Sequence, residues 1–136
     1  MLSRPTTDQV LNAMADDLIA VVLPHVSGEA AKVLATQIEQ LTRRLARRAA
    51  HEIGWMTEEI AAIDAALDRT PDPTNSWHLE DVLDRYSAAS TALSDAIAEA
   101  FADEDTDRVA QYKALLAQRV VNEQEVLGAL ELVGRG

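Results

Sequence analysis

The sequence predicts an all-α protein, a four-helix, bundle-like fold with one short N-terminal helix and a very long or bent second helix. Three observations carry that prediction. Apolar residues make up 48% of the 136 residues, yet only five are aromatic, so the apolar fraction is mainly Ala, Leu, Val and Ile. Glycine and proline are few, at five and four, which leaves long stretches free of helix breakers. Apolar residues recur at steps of 3 and 4 in four segments, and no alternating strand pattern competes with them. Length and pattern together predict residues 1 to 136 as a single helical domain.

The first helix opens at Thr6, where Thr6-x-x-Gln9 reads as a capping box, and it runs through Val10, Met14, Leu18 and Val21 or Val22 until Pro24 stops it. The residue before that proline, Leu23, is biased out of the α region, so Leu23-Pro24-His25-Val26 reads as an elbow. Ser27 can cap the second helix. Its stripe passes through Leu34, Ile38, Leu41, Leu45, Ala49, Ile53, Met56, Ile60, Ile63 and Leu67 to about Asp68. At 1.5 Å per residue that is roughly 60 Å, long for a domain of this size. The helix therefore bends, with Gly54 as its weak point, or one end projects towards a partner.

Thr70-Pro71-Asp72-Pro73-Thr74-Asn75-Ser76 cannot continue a helix and turns the chain back. A third helix follows from about Trp77 to Phe101, with Trp77 in a staple position and small residues from Ala88 to Ala92 that permit close helix approach. Asp103-Glu104-Asp105-Thr106-Asp107 ends it and supplies both a cap and favourable negative charge for the fourth helix, through Val109, Tyr112, Leu115 or Leu116, Val120, Leu127 and Leu130.

Charge narrows the function classes. A formal net charge of −11 opposes general affinity for nucleic acid or an anionic membrane, since phosphate binding depends on clustered cations that release counterions. The absence of cysteine excludes disulfides, thiolate zinc sites and thiol nucleophiles, and with no signal or spanning segment predicted the expected location is cytoplasmic. No Gly-rich phosphate loop, nucleophile elbow or Glu-x-x-His pair occurs, so no catalytic residue, metal site or cofactor is predicted.

The densest cationic feature is Arg43, Arg44, Arg47 and Arg48 with His51. Arg44, Arg47, Arg48 and His51 fall along one helical face. Such a run is either an anion dock, because guanidinium forks bind carboxylate and phosphate bidentately, or a solvated face balanced by Glu39 and Glu52. Trp55 is either an interface anchor beside it or ordinary bundle packing. The candidate partner- or anion-binding residues are thus Arg43, Arg44, Arg47, Arg48, His51 and Trp55.

Arg4-Pro5-Thr6, leading through Leu11 and Leu18 to Val22-Leu23-Pro24, and the Ala46 to Glu52 run Ala-Arg-Arg-Ala-Ala-His-Glu, within the helix Leu41 to Ile60, carry a resemblance over the first half of the chain. These segments resemble a family of short bacterial proteins that accompany aminoglycoside-phosphotransferase-like kinases and acyl-CoA dehydrogenases. The resemblance implies a non-catalytic accessory subunit of a larger phosphotransferase-like enzyme acting on a hydroxyacyl-CoA. The residue pattern alone offers a different expectation, a homo-oligomeric bundle seamed by the heptad-like stretch Ile53, Met56, Ile60, Ile63, Leu67. A third is a ligand binder holding a phosphorylated or CoA-type molecule on Arg44, Arg47, Arg48 and His51.

Overall fold

The computed structural model describes residues 4–71 and 76–127, and among these it contains four α-helices and no strand. They are α1 (Thr7–Asp17), α2 (Glu29–Ala66), α3 (Leu79–Ala102) and α4 (Thr106–Leu127). The all-α class, the short first helix and the long second one are as the sequence predicts. The centre of the Thr70–Ser76 connector, Leu130 and the C-terminal tail lie outside the described residues. The chain divides into two compact units, one comprising residues up to His51 together with those from Gln124, the other Glu52–Glu123.

In the first unit the expected capping box closes on its glutamine side, the Thr6 N–H donating to Gln9 Oε1 at 3.0 Å. The elbow differs from expectation. Leu23 keeps α-region angles (φ −55°, ψ −38°), and its N–H reaches back to the Leu18 carbonyl. This wider, π-type turn over Leu18–Val22 lets the helical path run on into a 3₁₀ turn, Leu23–His25, carrying Pro24 in its first positions. The chain turns extended only at Val26 (ψ 125°).

Gly28, not Ser27, then takes the cap of α2. Its φ of +95° suits only glycine, and its carbonyl accepts the Lys32 N–H at 3.1 Å. From there α2 continues for 38 residues, passing through Gly54 without interruption. Thr36, Thr42 and Thr57 each return a hydroxyl bond to the carbonyl four residues back, which satisfies these polar side chains on the helix itself.

The second unit packs the end of α2 with α3 and α4. Ile63, Ala89, Leu93, Ala100 and Tyr112 form its buried cluster, and Ile60, Leu67, Ile97, Val109 and Leu115 close around them. Three of the heptad-like residues expected to seam an oligomer, Ile60, Ile63 and Leu67, therefore belong to this core. Ala89 comes from the predicted small-residue face and helps the helices approach. Trp77 does not act as a staple, for it stands 65% exposed.

Asp105 caps α4 as the acidic break suggests. Its Oδ1 accepts the Arg108 N–H at 3.0 Å and its Oδ2 the Arg108 Nε at 2.7 Å, while Asp103 takes Nη2 at 2.9 Å. Those bonds, the backbone one first, hold the Asp105 carboxyl below its ordinary value.

Both α2 and α3 end in a left-handed residue that is not glycine, Asp68 at φ 52° and Glu104 at φ 55°. Each is fixed by a bond from the next N–H to the carbonyl five residues back, Arg69 to Asp64 at 2.8 Å and Asp105 to Ala100 at 3.0 Å. A Cβ at such a site costs about 1 kcal/mol. Glu104→Gly should raise the unfolding free energy by about that amount, read from urea melts; no gain would mean that the Glu104 side chain supplies an offsetting interaction.

Candidate functional site

The arginine run lies wholly within the first unit, and the structure divides it by use. Arg43 donates from Nη2 to Asp16 Oδ1 at 2.8 Å and from Nε to Glu39, so it ties α1 to α2. Asp16 first and Glu39 second hold its guanidinium above the ordinary value. Arg47 points elsewhere. Its Nε and Nη2 donate to the carbonyls of Val126 (3.0 Å) and Leu127 (3.1 Å), in the last described turn of α4.

Arg44, Arg48 and His51 differ from these two. They follow one another at i, i+4 and i+7 on a separate face of α2, Arg44 half-buried and the other two exposed. Trp55 is half-buried and belongs to the second unit. The six candidates therefore divide into two internal clamps, a three-residue basic stripe in the first unit, and Trp55 in the second.

The larger feature of the first unit is apolar. Its described fully or nearly buried residues are all alanines, Ala15, Ala35 and Ala46. Its bulky side chains face outwards instead. On α2, Leu34, Ile38, Leu41 and Leu45 are 56, 47, 55 and 47% exposed, and on α1 and the turn after it Val10, Met14, Val21 and Val22 are exposed as well. The less exposed side of this stretch of α2 bears Ala35, Glu39, Thr42, Arg43 and Ala46, centred roughly 110° around the helix from the leucine stripe. Single exposed apolar residues need no explanation, but two rows of them on one small unit mark an interaction surface.

In the second unit a polar network that sequence reasoning missed joins three helices. Arg119 on α4 donates from Nε to Glu59 Oε1 on α2 at 2.6 Å and from Nη2 to Ser90 Oγ on α3 at 3.1 Å. The Tyr86 hydroxyl donates to Glu59 Oε2 at 3.0 Å, and the guanidinium lies 5.3 Å from the Tyr86 ring centre. A signal did exist. Glu59 interrupts the apolar stripe of Met56, Ile60 and Ile63, and Arg119 falls one turn beyond Leu115, so each charge occupies a position that the helical pattern reserves for the core.

Two shallow depressions also belong to this unit. One, about 350 Å³, is lined by Ala100, Phe101, Val109 and Lys113, with the Lys113 ammonium 5.8 Å from the Phe101 ring centre. The other, about 590 Å³, has Asp68, Asp95 and Glu99 facing Arg69 and Arg108. Among the described residues no three His, Cys, Asp or Glu side chains converge to hold a metal, and no helix is long and apolar enough to cross a membrane. Comparison with protein-family models, with curated proteins and with solved structures gave no match.

The network makes two predictions. Glu59→Ala or Arg119→Ala leaves an uncompensated charge in a mostly buried place and should cost about 2–4 kcal/mol, whereas the double replacement Glu59→Met with Arg119→Leu should recover most of that loss in chemical melts. An additive double mutant would show that the charges do not interact. Burial first and Glu59 second raise the Tyr86 phenol above its ordinary value. The folded state thus keeps its proton longer than the unfolded chain, so this contribution is complete below about pH 10 and is lost as pH rises through the folded value. Melts between about pH 9 and 11 should show a decline that Tyr86→Phe flattens.

Proposed function

We propose that the chain is a non-catalytic accessory subunit that binds and supports a larger phosphotransferase-like kinase acting on an acyl-CoA-type substrate. The observation that carries the docking part of this reading is the outward row Val10, Met14, Val21 and Val22 on a unit whose buried residues are alanines. Bulky apolar side chains presented on a preformed helix supply the desolvated centre of an interface, and charged neighbours supply its rim. Here Asp8 and Asp17 flank the row on α1.

The kinase part of the reading is supported by where the resemblance falls. Its first segment, Arg4-Pro5-Thr6 to Val22-Leu23-Pro24, is the stretch that forms α1 and the turn after it, so the exposed row lies within the family-like stretch and shares Val22 with it. The subunit would act by holding its partner in an active conformation, with no group of its own at the reacting atoms.

Co-purification with a phosphotransferase-like enzyme of the same host tests the proposal. Near-stoichiometric retention is expected, together with phosphorylation of a hydroxyacyl-CoA that depends on the added chain. Met14→Glu should weaken retention by about tenfold or more while helicity is kept. An enzyme equally active without the chain, and not retained by it, would refute the reading.

A further inference from the structure

The apolar rows on α1 and α2 are two halves of one face. Asp16 bonds to Arg43, 27 residues further on. A straight helical run would hold them about 40 Å apart, so α1 and α2 double back on each other. The buried alanines Ala46 on α2 and Ala15 on α1 serve as reference points. Measured from Ala46, the row Leu34, Ile38, Leu41 and Leu45 is centred roughly 110° around α2 in one sense, and Arg43 lies roughly 60° in the other. Measured from Ala15, Val10 and Met14 lie roughly 120° around α1 in one sense, and Asp16 roughly 100° in the other. The Arg43–Asp16 bond occupies one flank of the pair, so both rows open on the opposite flank.

With Asp16 beside Arg43, the antiparallel register brings Met14 about level with Leu45. Two apolar rows on neighbouring helices, whose axes pack about 8–10 Å apart, form a groove. From Leu34 to Leu45 it is roughly 16 Å long, about three helical turns. Its lining is exposed, Met14 by 58%, Leu41 by 55% and Leu45 by 47%. A groove of that shape receives the ridge of a third helix, as in a bundle. The two banks differ in charge. Asp17 stands at the outer edge of the α1 row, whereas Arg48, with Arg44 one turn before it, stands at the outer edge of the α2 row. The complementary helix is therefore basic on its flank towards α1 and acidic on its flank towards α2.

We infer that this groove holds one amphipathic helix of the partner enzyme, so that a single element of the partner covers the α1 and α2 rows together. The inference rests on the accessory reading for the partner and adds the element that docks and the extent of the surface it takes. Continuity of the two rows carries it. A partner seated on Val10 and Met14 meets the leucine row within one helix width, and stopping short of that row would forgo the burial of Leu34, Ile38, Leu41 and Leu45. A helix laid across both rows buries on the order of 1,200 Å² counting both surfaces, enough for a specific complex.

The test uses the full chain and the phosphotransferase-like enzyme of the same host. Leu41→Glu should weaken retention of that enzyme by about tenfold or more, as Met14→Glu does, while circular dichroism stays helical. Asp17→Lys should slow association, an effect that added salt removes. Benzoylphenylalanine in place of Met14 and, separately, in place of Ile38 should cross-link to one and the same helix of the enzyme, at sites within about two turns of each other. Retention unchanged by Leu41→Glu but lost with Met14→Glu overturns the shared groove and leaves the accessory reading standing. Cross-links from position 38 to residues 128–136 of the chain itself, to a second copy, or to a protein other than the one reached from position 14 overturn it as well. An unsubstituted chain that retains no such enzyme refutes the accessory reading, and the groove's occupant with it.

Discussion

A 38-residue helix carries an apolar stripe along most of its length, and a chain of 136 residues has limited means to cover it. From Ile60 to Leu67 the stripe closes against α3 and α4, where Leu93, Ala100 and Tyr112 complete a core. From Leu34 to Leu45 it has no comparable cover among the described residues, where the least exposed side of α2 bears alanines and a clamped arginine. Burying a Leu or Ile side chain is favourable by about 1.5–3 kcal/mol, and the first unit leaves that gain unrealised along a whole row. Association with another apolar surface is a process that can realise it.

Polar bonds provide in the first unit what bulky core packing provides in the second. Arg43 joins α1 to α2 through Asp16, and Arg47 holds the last described turn of α4 through two carbonyls. Such bonds set geometry well but contribute modestly to stability when exposed. In the second unit Glu59 and Arg119 sit within an apolar setting and their bonding groups are matched by Ser90 and Tyr86. A pair of that kind fixes which faces of the three helices meet, because any rotation of α4 would leave a charge without its counterpart.

Features set by a few neighbouring residues were legible in the sequence. Gln9 reaching back to Thr6, Asp105 capping α4, and the helix-breaking stretches all depend on local chemistry. Leu23 departs from expectation because the pre-proline rule is a steric bias and not a prohibition, and here Leu23 keeps α-region angles between the π-type turn and the 3₁₀ turn. Ser27 yielded the cap of α2 to Gly28, where a positive φ outweighs a hydroxyl. The uses of Arg43 and Arg47 depend on partners 27 and 79 residues away, a separation at which spacing carries no information.

The same limit applies to the heptad-like stretch of α2, of which Ile60, Ile63 and Leu67 belong to a core. Ile53 to Leu67 and Leu34 to Leu45 have the same periodicity, and periodicity reports that a face is apolar without saying what covers it. Only the packing of α3 and α4 separates them, because it closes over Ile60, Ile63 and Leu67 and leaves the earlier row outside.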